Sequence, residues 1–448
     1  MYHFTTYLPI AAKSVILTLC SFAALTMFAT APASAQDDPL QKLNTELKAK
    51  TDNKLGFTFE ERTRWEEKDG VNFGKSVNQQ DMLSRVRIGM WFQPVSWFKI
   101  SGMAQDVRAP FYGVPAPNTL RDTWDLQEGY LEFFGERKTG FGATFGRQEI
   151  DYGEGRVIGL TPWTNVARTY DTARAHYTIR GVRLEALVVS PVKVLQDQFN
   201  KPEPGERIWG TYSTFSEVWH GASVDAYILQ HSQNKIAGWT GTGTLGTQSY
   251  GSRLYGSLPY KFVYGLEGIG QTGHIGLLTQ RAYAFVTHVS RTVSVFNMPL
   301  EFYAEYKEAS GSKLGQSGSS TYDQMSASNH DKFGREDLFG WRNIRSAKSL
   351  ETLHLSSGFA LNVMYNDDRL FSASDSLYNS AGSSIAISKK GIAGTRVGQE
   401  LDGFVTYKYG AHLFGAGVGH FFKGQFIENT TPNINPRYFY IFQQYSFK

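Results

Sequence analysis

Apolar and polar residues alternate one by one along most of this 448-residue chain. In the first clear stretch Leu55, Phe57, Phe59 and Trp65 fall on one face, and Thr58, Glu60, Arg62 and Arg64 on the other. Ser84, Val86, Ile88, Met90 and Phe92 then oppose Arg85 and Arg87. Phe98, Ile100, Gly102 and Ala104 oppose Lys99, Ser101, Met103 and Gln105. A period of two is that of a strand with two unlike faces. The pattern predicts eighteen strands, at 55–66, 81–92, 98–108, 124–134, 141–150, 171–179, 182–191, 207–215, 222–231, 249–258, 260–271, 280–291, 299–309, 349–359, 361–372, 396–408, 412–423 and 437–447. Sixteen is the alternative count. Ahead of them, residues 36–53 are polar, with Leu40, Leu43 and Leu47 spaced for a short amphipathic helix.

A soluble sandwich also alternates, because one face of each sheet is wet. Three features point instead to an all-β transmembrane antiparallel barrel. Connections alternate between short (93–97, 135–140, 180–181, 408–411) and long (67–80, 109–123, 151–170, 232–248, 311–348, 374–395), as expected of short periplasmic turns and long external loops. Aromatic residues gather at strand ends, as in Trp91-Phe92, Trp97-Phe98 and Phe133-Phe134, where membrane interfaces would lie. The last strand is aromatic-rich and closes on Phe447-Lys448, similar to the signal that barrel-assembly machinery reads.

Composition narrows the class. Hydrophobic residues make up 41% of the chain, too few for a bundle of apolar helices. Aromatic residues reach 14%, too many for a disordered chain. The net charge is only +4, without a concentrated basic block, so nucleic acid is not an expected partner. Lys13, the apolar run 15–29 and Ala33-Ser34-Ala35 have the order of a secretory signal peptide cleaved after Ala35. The single cysteine, Cys20, lies inside it, so the exported chain avoids disulfide chemistry. The expected organisation is a signal peptide at 1–35, a periplasmic lead-in at 36–53 and a barrel at 54–448, in outer-membrane lipid of a Gram-negative bacterium.

Charges on the inward register are the main functional signal. The basic set is Arg62, Arg64, Arg85, Arg87, Lys99, Arg174, Arg183, Lys307 and Arg396; the acidic set includes Glu60, Glu128, Glu305, Glu400 and Asp402. The first three strands present a basic wall, and the fourth and thirteenth are mostly acidic. A basic wall in a narrow lumen attracts carboxylates, and the arginine fork binds them through two hydrogen bonds. The competing expectation is a lattice of ion pairs that only holds the barrel's shape. Alternation puts Arg147 with Phe141 and Phe145, facing lipid, unless a bulge at Gly146 turns it inward.

The block Gly146-Arg147-Gln148-Glu149-Ile150-Asp151-Tyr152-Gly153, followed by Arg156-Val157 and Trp163-Thr164-Asn165-Val166-Ala167-Arg168, resembles the alginate export family of outer-membrane channels. Glu60-x-Arg62-x-Arg64, Leu83-x-Arg85-x-Arg87, Asp125-Leu126-Gln127-Glu128-Gly129-Tyr130-Leu131 and Gly398-Gln399-Glu400-Leu401-Asp402 agree with it. The resemblance spans nearly all of the barrel. It implies an eighteen-stranded monomer with an arginine-rich constriction, occluded by loops and passing an anionic polysaccharide; it also assigns Arg147 to the pore. Loops 151–170 and 311–348 are the expected lids. The functional expectation is passive, anion-biased passage of an acidic polysaccharide such as alginate, or of related small anionic solutes. A general or small-solute porin is the alternative.

An enzyme is the rival class. His354-Leu355-Ser356 and His288-Val289-Ser290 each space His and Ser as an outer-membrane phospholipase does. Gly415-x-Gly417-x-Gly419 has no strand–helix unit around it and so reads as close packing rather than a dinucleotide site. No cofactor and no metal-ligand spacing is expected.

Overall fold

The computed structural model describes residues 38–112, 115–135, 139–234, 243–355 and 358–447. The expected signal peptide with Cys20, together with Ser356 and Lys448, lies outside the described residues. The chain forms two compact units, one up to Glu46 and one from Leu47. A helix, α1 (Pro39–Lys50), starts where the Asp38 carboxylate accepts the Leu40 and Gln41 N–H groups at 3.0 and 3.1 Å, which caps its first turn.

Eighteen long antiparallel strands close into a barrel. They are β1 (Leu55–Asp69), β2 (Gln79–Val95), β3 (Phe98–Arg108), β4 (Asp122–Phe133), β5 (Gly140–Gln148), β6 (Tyr170–Ile179), β7 (Val182–Lys193), β8 (Glu206–Trp219), β9 (Ala222–Gln233), β10 (Leu245–Leu258), β11 (Phe262–Ile275), β12 (Leu278–Val295), β13 (Met298–Ala309), β14 (Ile344–His354), β15 (Phe359–Leu370), β16 (Arg396–Tyr409), β17 (His412–Lys423) and β18 (Arg437–Phe447). Each pairs with the next, and β1 pairs with β18 from Phe59↔Phe447 to Asp69↔Arg437, which closes the ring. No unpaired edge is left for lipid to meet. The fourteenth strand begins at Ile344, five residues before its expected start, because Ile344–Lys348 continue the ladder to β13 and β15.

The two surfaces of the wall are inverted relative to a soluble protein. Ile88 and Met90 are 48% and 55% exposed on the outside, in a band with Phe145, Leu184, Val188, Ile228, Val363 and Val418. Arg64, Lys307, Glu400 and Asn366 are buried inside. Near the short turns, Trp97, Phe98, Phe133 and Phe134 pack with ring centroids 5.2–6.5 Å apart, and Phe359 stacks on Tyr407 at 4.2 Å. These rings form an interfacial girdle.

The apolar core sits within the ring, and loops supply much of it. Ile150, Val157 and Ile158 from loop 149–169 meet Tyr322, Phe333, Phe339 and Trp341 from loop 310–343. Ile158 and Ser326 form a parallel bridge between the two loops. Phe73, from the first loop, is fully buried against Phe339 and Phe421. On β17 the lumen-side glycines make room for neighbours: a Cβ at Gly415 would strike Phe442, and one at Gly417 would strike Tyr440.

A charge on the lipid face should cost what solvation by hydrocarbon demands. Ile88→Arg is expected to lower folding stability in liposomes by about 2–4 kcal/mol, read from urea titration of tryptophan fluorescence. A neutral result would contradict the lipid-facing assignment.

Candidate functional site

Two neighbouring strands place four arginines together. On β1 even-numbered residues point inward, on β2 odd-numbered ones do, and the register sets Arg62 opposite Arg85 and Glu60 opposite Arg87. All four arginines, Arg62, Arg64, Arg85 and Arg87, are less than 7% exposed. Like charges so close and so buried need compensation. Part comes from carboxylates: Arg85 pairs with Glu60 at 2.7 Å, Arg64 with Glu66 at 2.6 Å, and Arg87 with Glu149 at 3.1 Å.

The rest comes from a loop. Residues 162–165 cross the lumen and turn their carbonyls to the arginines. Arg62 donates to the Pro162, Trp163 and Thr164 carbonyls at 2.8, 3.2 and 3.0 Å. Arg85 donates to those of Pro162, Thr164 and Asn165 at 3.2, 3.1 and 3.3 Å, and Arg64 to that of Trp163 at 2.6 Å. The Trp163 ring lies between the Arg64 guanidinium, 4.1 Å from its centroid, and the His330 ring, stacked at 4.8 Å. The fully buried Asn165 amide donates to the carbonyls of Ser84, Arg108 and Leu120. The loop is therefore fastened to the wall by its tip. Nε and one terminal nitrogen of Arg87 are buried without a hydrogen-bond partner among the described residues. Above Trp163, toward the long loops, opens a cavity of about 540 Å³ lined by Arg64, Lys68, Arg168, Lys193 and Glu203.

The other expected site residues are placed as follows. Lys99 is half-buried, 5.9 Å from the Trp91 ring, away from the loop tip. Arg174 and Arg183 both face the lumen and share Glu185, at 3.3 and 2.5 Å. Glu128 accepts the Glu149 N–H at 3.0 Å. Two placements depart from expectation. Arg147 keeps the outward register despite the unusual φ of Gly146, because Arg147 pairs with Asp171 with no slip of the ladder. Its guanidinium binds Asp171 at 2.8 Å and the Asn200 carbonyl at 3.0 Å, joining wall strands instead of lining the pore. Arg396 is also outside the lumen. Val397 is an extra residue on β16, between the pairs Asp368↔Gly398 and Arg369↔Arg396, so alternation is broken and Arg396 is exposed beside Arg369.

The acidic side differs as well. Glu305 on β13 is neutralised by Arg156 of the loop and by Lys307 at 2.7 Å. The uncompensated acids instead stand on β15 and β16, where Asp368, Glu400 and Asp402 are buried. Sequence reasoning also missed the second grip on a loop: Lys307 donates to the Lys332 carbonyl, and Lys348 to that of Asp331. Arg168 donates to the Ser326 and Ala327 carbonyls and so ties one loop to the other.

His288 and Ser290 occupy the lumen register. His288 Nε2 lies 3.3 Å from Glu154, and its ring stacks on Tyr303. Membrane phospholipids lie on the opposite side of the wall from this pair.

Residues 52–441 match the family model for alginate export. The chain belongs to the alginate export family. No curated protein matches it. Among solved structures it is similar to Pseudomonas aeruginosa OccK8 (OprE), with a TM-score of 0.59 and 9% identity over 88% of this chain and 98% of that one. P. aeruginosa OccK2 (OpdF) gives 0.60 and 8% over 88% and 97%, and Acinetobacter baumannii OccAB4 gives 0.57 and 10% over 88% and 98%. At such identities these structures speak for the barrel alone. As a member of the alginate export family the chain is an outer-membrane, porin-like channel, and its arginine wall and fastened loops lie inside the barrel.

The anchoring of this loop has two measurable consequences. Asn165→Ala removes the side-chain donor from three partly buried carbonyls; stability should fall by about 1–3 kcal/mol in urea titrations, and single-channel conductance should rise. Burial would raise the Glu154 pKa, yet His288, Arg253 and Arg156 hold the carboxyl down at about 2. A depressed carboxyl stabilises the fold fully above its free pKa of 4.5 and loses that effect as pH falls toward 2. Pepsin should therefore begin to cut loop 149–169 within that window, and should cut Glu154→Gln equally across it.

Proposed function

We propose that the protein passes an anionic polysaccharide, such as alginate, or related anionic solutes, by diffusion and with a bias toward anions. The observation that carries this is the arginine ladder of β1 and β2, set in the lumen where the loop tip narrows it. A uronate carboxylate offers the same oxygen acceptors as the Pro162–Asn165 carbonyls, with a full charge, so it competes for the same guanidinium donors. Arg87 has two buried donor nitrogens without a partner among the described residues, which such a carboxylate would satisfy. In a narrow low-dielectric lumen such a wall favours anions and disfavours cations. No energy source is needed, since the gradient of the solute drives it.

A second reading is passage of small carboxylates. The neighbour OpdK, at 8% identity and a TM-score of 0.57, is described with vanillate. Vanillate is a carboxylate, and the same arginines would serve it. The partners proposed are thus an anionic polymer or solute and outer-membrane lipid, with barrel-assembly machinery acting on the C-terminal strand and the barrel working as a monomer. The signal segment ahead of Gln36 is proposed to be removed on export.

The test is a reversal potential in planar bilayers across a salt gradient. The wild-type channel should prefer anions, and Arg62→Gln, Arg64→Gln, Arg85→Gln and Arg87→Gln combined should abolish the preference. Oligouronates should block wild-type current with a strength that falls as salt rises. Cation preference in the wild type would overturn the reading. Equal block by neutral oligosaccharides would favour a general porin.

A further inference from the structure

Loop 310–343 also enters the lumen against β15 and β16, which β17 and β18 separate from the arginines of β1, and there the chemistry is reversed. Glu400 on β16 accepts the N–H groups of Arg335 and Glu336 at 2.6 and 3.0 Å. Gly334, with φ +93°, passes so close that a Cβ would collide with the Glu400 carboxylate. The contact thus brings loop backbone onto a wall carboxyl as closely as a chain can approach. Around it stand three more carboxyls: Asp402 on β16, Asp368 on β15 and Glu336 on the loop itself. All four groups are less than 9% exposed.

Their oxygens are poorly served. Glu400 Oε2, both oxygens of Asp402, both of Asp368 and Glu336 Oε1 are buried without a well-aligned hydrogen bond among the described residues, although Ser346 stands beside Asp368 and the Arg335 backbone beside Asp402. Nor is a cation dedicated to them. Arg335, whose field reaches Asp402, pairs with Asp331 at 2.6 Å, and its guanidinium lies over the Phe404 ring at 4.3 Å. Lys68, whose field reaches Glu336, pairs with Glu66 at 3.5 Å. Lys307, whose field reaches Asp368, pairs with Glu305 at 2.7 Å. Asp331 and Asp367 add further negative charge nearby. No group of acids and histidines among the described residues has the geometry to hold a metal ion.

Four ionised carboxylates packed this way would each carry a desolvation cost of several kcal/mol and repel one another. Carboxyls sharing a buried site hold protons instead, and titrate as a set. A protonated carboxyl also gains a donor, which suits oxygens facing other carboxyl oxygens.

We propose that the Phe333–Asp337 segment is a proton-operated latch: it is docked in the lumen while the carboxyls of Glu336, Asp368, Glu400 and Asp402 share protons, and it releases as they ionise. The inference rests on the channel reading and adds its regulation. Burial, and next the Asp402 carboxyl, push the Glu336 pKa up. A carboxyl whose pKa is higher docked than free favours docking most below its free pKa, and that contribution is lost as pH rises through the docked value. Release is therefore an alkaline event, with each proton shed weakening docking by about tenfold per pH unit. It is opposite in sign to the acid-induced loss of the Glu154 anchor on the other loop, which occurs below the free carboxylate pKa.

Two readouts on the detergent-purified full barrel separate the latch from the channel reading. Hydrogen exchange of peptides covering 331–340, corrected for the intrinsic pH effect, reports docking; conductance in planar bilayers reports passage. From about pH 5.5 to about pH 9, wild-type protection should fall by about tenfold or more, while conductance rises. In Glu336→Gln/Glu400→Gln/Asp402→Asn both should lose their pH dependence, with the segment protected throughout. Should the triple variant not fold, judged by heat-modifiable migration, Glu336→Gln alone should shrink the response, since this residue lies on the loop and outside the wall. Protection independent of pH in the wild type, or an unchanged response in the variants, would overturn the latch. So would release governed by added calcium at constant pH. Protection that follows pH in a protein without conductance would uphold the latch and fault the channel reading.

Discussion

Buried cations gripping loop carbonyls are the interaction on which the rest of this barrel depends. A wide ring of strands solves the backbone's hydrogen-bonding problem in a membrane but leaves a lumen that something must fill. Here the loops fill it, and their backbone acceptors are taken up by wall cations. Arg62, Arg64 and Arg85 hold residues 162–165; Lys307 and Lys348 hold residues 331–332; Arg168 ties one loop to the other. Each grip serves both partners, since guanidinium and ammonium groups there would otherwise be desolvated without compensation, and so would the carbonyls. The apolar side chains of the same loops then form the core within the ring. Charge anchors the loops, and apolar packing makes them solid.

The lumen that results is electrically divided. One side, β1 and β2, is arginine-rich and paired with backbone oxygen. A second stretch of wall, β15 and β16, two strands away from β1, is carboxyl-rich and meets loop N–H groups. An inserted peptide presents acceptors to the first and donors to the second, so the polarity of the peptide bond matches the two walls. A polyanion moving through would find favourable contacts on one side only. The arginine ladder anchors the plug, and under the proposed function the same guanidinium groups would receive the solute that displaces it.

Much of this was legible in the pattern of residues. Alternation alone set Arg62, Arg64, Arg85 and Arg87 on one inward stripe, because regular strands keep strict parity. It also marked Glu400 and Asp402 as inward, and the helix at Leu40, Leu43 and Leu47 followed from spacing. Parity failed where a strand departs from regularity: one extra residue at Val397 moved Arg396 to the outside, and nothing local in Gly398-Gln399-Glu400 announces it. At Gly146 the opposite happened, since a glycine with unusual φ left the register of Arg147 intact. The inward folding of the loops was the least legible feature. A loop rich in Ser, Gly and charge, as 310–343 is, has no periodicity to read, and its insertion depends on wall residues far away in sequence. Phe333, Phe339 and Trp341, placed among those charges, were the available signal, because aromatic residues in an external loop need a surface to bury against.

The account's central claim is that the loop tip closes the path because the arginines hold it there. Single-channel conductance of a chain in which Thr161–Val166 is replaced by glycine and serine tests it most directly, with the four arginines left in place. The account predicts a several-fold larger, steadier and more anion-selective current, since the same guanidinium groups are then unmasked. Conductance and selectivity equal to those of the unaltered protein would contradict it.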